Sequence, residues 1–228
     1  MLIEDIPGVG KTQLVVALSR SVGGKFNRLQ LTPDVMPSDI VGFSMPNPKT
    51  SEFEYRQGAA MCNFLLADEI NRASPKVQSS LLEVMEEYQI SVDSKTYVLP
   101  RPFMTLATQN PVETYGTYHL PEAQIDRFLI RVSLGYLDPQ VEARLLDRND
   151  PEKLLEELPA VLSLSDVLKL QEAVKSVAMH NALKQYIVRI VAATRNNENI
   201  KLGCSPRGSI GLNNMAKSVA FIKHRKPP

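Results

Sequence analysis

Asp5-Ile6-Pro7-Gly8-Val9-Gly10-Lys11-Thr12 separates the short apolar run Met1-Leu2-Ile3 from Gln13-Leu14-Val15-Val16-Ala17-Leu18, a helix-like stretch. A strand, a glycine-rich turn ending in Gly-Lys-Thr, then a helix is the layout of a phosphate-binding loop. Glycines let the backbone fold around a phosphate chain, and the loop N–H groups and the helix N-terminus then point at its oxygens. On this reading Pro7, Gly8, Val9, Gly10, Lys11, Thr12 and Gln13 cradle the phosphates. Lys11 reaches the β- and γ-phosphates, and the Thr12 hydroxyl ligates Mg²⁺. The strict consensus has glycine where this chain has Asp5. An ordinary strand–turn–helix shares the pattern, so residues downstream have to decide.

With 228 residues, 43% of them hydrophobic, the chain can bury one good core, or one core plus a small appended domain. Its 26 basic and 25 acidic side chains nearly cancel, which argues against nonspecific attraction to nucleic acid or to a membrane surface. The run Lys223-His224-Arg225-Lys226 reads as a solvated terminus. Cys62 and Cys204 lie far apart without CxxC spacing, so a reducing, cytoplasmic compartment is the default. His119, His180 and His224 show no ligand spacing. No apolar run approaches the roughly 20 residues that cross a bilayer, and the start lacks a signal-peptide pattern.

Short β-rich runs alternate with helical ones, which favours a parallel α/β sheet. Strands are expected at residues 2–4, 28–31, 63–67, 103–107 and 129–134. Ser74-Pro75 marks a helix start, after which Val77, Leu81, Leu82, Met85 and Tyr88 fall on one face. Hairpins are expected over residues 42–58, turning at Asn47-Pro48-Lys49-Thr50, and over residues 89–99, with Asp93-Ser94-Lys95 at the tip. After Gly135-Tyr136-Leu137-Asp138-Pro139 the texture becomes helical only. Ser163-Leu164-Ser165-Asp166 reads as a capping-box start, a second helix carries Leu183, Ile187, Ile190 and Val191, and a third begins after Pro206. The domain boundary is therefore expected near residue 137.

Asn63-Phe64-Leu65-Leu66-Ala67-Asp68-Glu69 is an apolar run ending in two acids. Neighbouring residues diverge at a strand's end, so Asp68 can hold Mg²⁺ through water while Glu69 polarises an attacking water. The run Thr105-Leu106-Ala107-Thr108-Gln109-Asn110 places an amide, Asn110, where it can orient that water. Arg127, in Glu122-Ala123-Gln124-Ile125-Asp126-Arg127-Phe128, can serve a neighbouring subunit's phosphate as an arginine finger or pair locally with Asp126. In Gly203-Cys204-Ser205-Pro206-Arg207 a cation stands in the first turn of a helix, where the dipole disfavours it. An anion opposite Arg207 resolves that conflict.

With these residues in place the chain resembles the MoxR group of AAA+ ATPases over essentially its whole length. The resemblance rests on Glu4 to Thr12, on Leu65-Leu66-Ala67-Asp68-Glu69-Ile70-Asn71-Arg72-Ala73, and on Ala107-Thr108-Gln109-Asn110-Pro111-Val112-Glu113. It continues through Gly116-Thr117-Tyr118 and Leu120-Pro121-Glu122-Ala123-Gln124-Ile125-Asp126-Arg127-Phe128. It implies a P-loop NTPase fold: a parallel five-stranded α/β sheet with helices on both faces over residues 1–137, and a small all-helical lid over residues 138–228. It also implies a Walker A lysine at Lys11, Walker B acids at Asp68 and Glu69, sensor 1 at Asn110, the arginine finger at Arg127 and sensor 2 at Arg207. Asp5 is common in the family, and family insertions at helix 2 and before sensor 1 fit the two hairpins. ATP and Mg²⁺ are the implied cofactors. Members generally form homo-oligomeric ring hexamers, and many remodel client proteins with a von Willebrand factor A-type partner.

Relatives carry a further N-terminal segment and a longer lid, so the resemblance implies a truncated chain. Gly208 and Ser209 stand where relatives often have alanine, which is expected to loosen the turn holding Arg207. Three other readings fit parts of the pattern: a nucleotide-gated binding module with little turnover, a magnesium-chelatase-like motor subunit, and a DNA-bound helicase-like motor. The near-zero charge disfavours the last.

Overall fold

β1 (Leu2–Glu4) runs through the glycine turn into α1 (Lys11–Ser21), and β2 (Phe26–Gln30) and α2 (Pro37–Val41) follow. β3 (Gly42–Pro46) and β4 (Phe53–Gln57) form a hairpin ahead of β5 (Phe64–Asp68). A 3₁₀ turn (Ile70–Arg72) then leads into α3 (Pro75–Glu87), a second hairpin of β6 (Gln89–Val92) and β7 (Lys95–Val98), and β8 (Met104–Gln109). After α4 (Glu122–Ile125) and β9 (Arg131–Val132) the chain is helical: α5 (Pro139–Leu146), α6 (Pro151–Glu156), α7 (Leu164–Ser176), α8 (Asn181–Arg195) and α9 (Pro206–Ile222). This computed structural model describes every residue except Pro7 and residues 111–115, 147–150 and 225–228, with residues 151 and 152 described by backbone alone.

β1, β2, β5, β8 and β9 pair in parallel in the order β2-β5-β8-β1-β9, the expected five-stranded parallel α/β sheet. The inner strands explain why it forms. Every residue of β5 is buried, as is β8 from Thr105 to Gln109, the continuous burial that a parallel sheet covered by helices requires. Burying Leu65, Leu66 and Leu106 completely contributes about 1.5–3 kcal/mol each before conformational entropy is set against it. α3 buries Val77, Leu81 and Leu82, with Gln78 and Val84 completing the stripe. Tyr88, expected on that face, is instead exposed at the helix end in left-handed backbone (φ 52°). A residue that terminates a helix this way leaves the 3.6-residue register.

Both hairpins form at the expected places. In the first, Ser51 N–H bonds the Asn47 carbonyl (2.9 Å) and the Asn47 side chain accepts from Lys49 N–H (2.9 Å). The second turns through Asp93 (φ 48°) and Ser94 (φ 62°), the paired left-handed conformation that matches strand twist in a two-residue loop. Tyr55 on β4 stacks on Tyr97 on β7 with ring centroids 4.0 Å apart, which joins the two hairpins.

The chain divides into two compact units, Met1–Leu120 with Ile130–Leu164, and Pro121–Leu129 with Ser165–Pro228. The helical texture begins near residue 137, but the first unit continues to Leu164. Arg20 on α1 donates to the Leu155 carbonyl (2.9 Å), and Val161 N–H bonds the Ser21 carbonyl (2.8 Å), so this stretch packs back on α1. In the second unit α8 buries Ile187 and Val191, while Leu183 and Ile190 stay exposed.

Candidate functional site

Gly8 and Gly10 both take φ +84°, a conformation that L side chains rarely adopt, and a side chain at Gly8 would meet nothing within 4 Å. α1 starts directly after Gly10, with no side-chain cap and no acid in its first turn. Its leading N–H groups therefore lack the usual capping oxygen, which is the condition for holding an anion. Lys11 Nζ donates to the Asp5 carbonyl (2.8 Å), so the lysine is folded back over its own loop. Pro7 lies outside the described residues.

Asp5 is buried and heavily bonded. One carboxylate oxygen accepts from Ile6 N–H (3.0 Å), the other from the amides of Gly135 (2.8 Å) and Leu134 and from the Ser133 hydroxyl (3.1 Å). These bonds, that of Gly135 foremost, hold its carboxyl below the ordinary carboxylate range against the opposing effect of burial. A depressed folded pKa contributes stability above the unfolded value, near 3.8, that is lost as pH falls through the folded value. Asp5→Asn is therefore expected to lower the melting temperature at pH 7. The difference between the two proteins should shrink as pH drops below about 4. Melting curves from pH 7 to 2.5 check this, and a pH-independent difference would contradict it.

Sheet register brings the other residues beside the loop. Asp5 N–H bonds the Gln109 carbonyl (3.2 Å), which places the buried Asn110 next to the β1 exit. Ala67 pairs with Ala107, so Asp68 and Thr108 are neighbours, and the Thr108 hydroxyl donates to Asp68 Oδ1 (2.5 Å). The same hydroxyl oxygen accepts from Glu69 N–H (2.9 Å). Glu69 sits in left-handed backbone (φ 58°, ψ 53°), a strained conformation for a residue with a side chain. Its Oε2 accepts from Gln30 Nε2 (2.8 Å) and pairs with Arg72 Nε (3.1 Å). Arg28 donates to Asp68 Oδ2 from Nη2 (2.7 Å) and Nε (3.2 Å).

The residue types fit a nucleoside triphosphate with Mg²⁺. The glycine turn and the uncapped helix suit phosphate oxygens, and Thr12 and Asp68 supply the hard oxygen donors that Mg²⁺ prefers. Among the described residues no group of three or more His, Cys, Asp or Glu could form a metal cage. Mg²⁺ does not need one, since it is held by one or two side chains together with phosphates and water.

Arg127 and Arg207 both lie in the second unit. The Ser205 hydroxyl donates to Asp126 Oδ2 (2.6 Å) and accepts from Arg207 N–H (3.0 Å). One serine thus caps α9 and ties the stretch carrying Arg207 to the stretch carrying Arg127. Gly208 lies against Cys204 Sγ, so a side chain there would displace the cysteine.

Residues 1–130 match the ATPase family associated with various cellular activities (AAA). Uncharacterized protein YeaC of Bacillus subtilis is 50% identical over 225 residues, covering 99% of this chain and 70% of YeaC. Chaperone MoxR1 of Mycobacterium tuberculosis is 43% identical over 234 residues, covering 99% of this chain and 62% of MoxR1. The chain belongs to the MoxR family of AAA+ ATPases. A crystal structure of a candidate ATPase from Cytophaga hutchinsonii matches with TM-score 0.88 at 40% identity, covering 98% of the MoxR-family chain and 71% of its own. The chain therefore spans 62% of MoxR1, 70% of YeaC and 71% of that structure.

Four side chains that hold the acids of this MoxR-family site escaped sequence reasoning: Arg28, Gln30, Arg72 and Thr108. Thr108 and Arg72 stand inside motif runs whose signal is carried by Asp68, Glu69 and Asn110. Arg28 and Gln30 carried a signal, since they alternate along β2 and period-2 spacing puts them on one face. Asn71 is also buried, and among the described residues neither polar atom of its side chain has a hydrogen-bond partner. Pro111, Val112 and Glu113 of the family motif lie outside the described residues.

Proposed function

We propose that this chain binds Mg²⁺-ATP where the β1, β8 and β5 ends meet and hydrolyses it to remodel a partner protein. The observation that carries the reading is the uncapped α1 N-terminus with Lys11, set in one sheet with Asp68 and Glu69 two strands away. Lys11 leaves the Asp5 carbonyl for the β- and γ-phosphates, and the backbone of residues 7–13 wraps the phosphate chain. Thr12 and Asp68 would hold Mg²⁺, which would supply charge neutralisation to the phosphates. Glu69 takes a proton from the attacking water, and Asn110 orients that water. Arg127 of a neighbouring copy and Arg207 of the same chain face the charge that spreads over the transferred phosphoryl group.

An intersubunit Arg127 requires a homo-oligomeric ring, which we take to be a hexamer in the cytoplasm. A von Willebrand factor A-domain protein and a client complete the assembly. The unit of Met1–Leu120 with Ile130–Leu164 forms the nucleotide-binding core of this scheme, and the helices from Ser165 onward form the lid. The test is steady-state phosphate release with Mg²⁺-ATP over a wide protein-concentration range. Specific activity is expected to climb with concentration as rings assemble. Undiminished activity at concentrations where sedimentation shows only monomer would exclude a shared site. One observation favours a second reading, a nucleotide-gated binding module: Glu69 is already bonded to Gln30 and Arg72. Tight Mg²⁺-ATP binding without turnover at any concentration would select it.

A further inference from the structure

We infer that Arg28 competes with the divalent cation for Asp68 and so sets how much Mg²⁺ the site needs. The inference rests on the proposed role of Asp68 as the Mg²⁺ residue. Both oxygens of this carboxylate are engaged: Oδ1 by the Thr108 hydroxyl and Oδ2 by two nitrogens of the Arg28 guanidinium. The register explains the reach. Gln30, not Arg28, is the ladder partner of Asp68, so Arg28 comes in diagonally along β2. Its Nη2 also donates to Gln30 Oε1 (2.9 Å), which fixes the plane of the fork.

Burial makes the competition matter. The Asp68 side chain is 12% exposed, so its field is weakly screened, whereas Arg28 is 48% exposed and can swing into solvent at little cost. A cation approaching Oδ2 meets a positive charge already in place. Binding then exchanges one cation for another on the same oxygen, while Thr108 keeps the carboxylate oriented through Oδ1. Arg28 is thus a positioning residue that holds Asp68 until Mg²⁺ arrives with its nucleotide. It keeps a buried carboxylate from standing unpaired in the interim.

The experiment is a Mg²⁺ titration of binding of a fluorescent ATP analogue, using the wild-type chain, Arg28→Met, Arg28→Gln, Arg28→Lys and Asp68→Asn. Circular dichroism confirms that each is folded. Either uncharged variant is expected to lower the half-saturating Mg²⁺ concentration about three- to tenfold, the size of a partly exposed charge-assisted pair. Arg28→Lys keeps the charge but loses the fork, and is expected to fall between wild type and the uncharged variants. An unchanged or higher Mg²⁺ requirement in a folded Arg28→Met or Arg28→Gln protein overturns the inference while leaving the proposed function standing. Wild-type binding that ignores Mg²⁺, or that Asp68→Asn leaves unaltered, overturns the assignment of Asp68 and the inference with it.

Discussion

Arg127→Ala is expected to slow phosphate release by about 10³–10⁵, roughly 4–7 kcal/mol of barrier, while nucleotide binding persists. The loss is this large because charge on the transferred phosphoryl group builds in the transition state, where a planar cation without a proton to lose is most effective. Lys11 and the α1 N-terminus lie in the first unit and stay intact in the variant, so ground-state affinity should survive. Subunit mixing tests the origin of the arginine. In a mixed ring, an Arg127→Ala copy supplies an intact Glu69, and a Glu69→Gln neighbour supplies an intact Arg127. Two inactive preparations should therefore regain turnover together. If mixing restores nothing, Arg127 does not act across a subunit boundary.

Glu69→Gln is expected to reduce turnover by about 10²–10⁴, the usual worth of a positioned general base. Glutamine preserves the shape and can still meet Gln30, but it cannot take a proton from water. It also gives up the charge that Arg72 faces. Because Asp68 and Lys11 are untouched, the variant should retain Mg²⁺-ATP and accumulate in the bound form. Phosphate release under saturating nucleotide, beside equilibrium binding, separates the two effects. Turnover within tenfold of wild type would remove Glu69 from the role of base.

Much of the fold was legible because its signals are local. β5 announces itself as an apolar run, the composition that a strand buried on both faces favours. The glycine turn ahead of Lys11 is equally local, since left-handed backbone at Gly8 and Gly10 demands that residue type. Tyr88 shows the limit: helical spacing placed it on the buried face, but the helix ends at Glu87 and Tyr88, its C-cap, turns outward. The unit boundary was hidden for a related reason. Residues 138–164 look like the helices that follow them, but contacts group them with the first unit, among them hydrogen bonds that Leu155 accepts from Arg20 and that Val161 and Leu162 donate to Ser21 of α1.

The acids divide the same way. That Asp68 and Glu69 end a buried strand follows from the order of residues, because a strand's direction and burial are properties of its own few side chains. Which groups answer them does not follow. Arg28 and Gln30 lie some forty positions away in the chain, and Thr108 lies forty positions beyond on the other side. They meet the acids because β2 and β8 flank β5 at one register, and a one-residue slip would turn every one of them to the opposite face. Strand identity was thus written in local composition. The partners of the charged groups were decided by sheet order and register, which only the folded chain possesses.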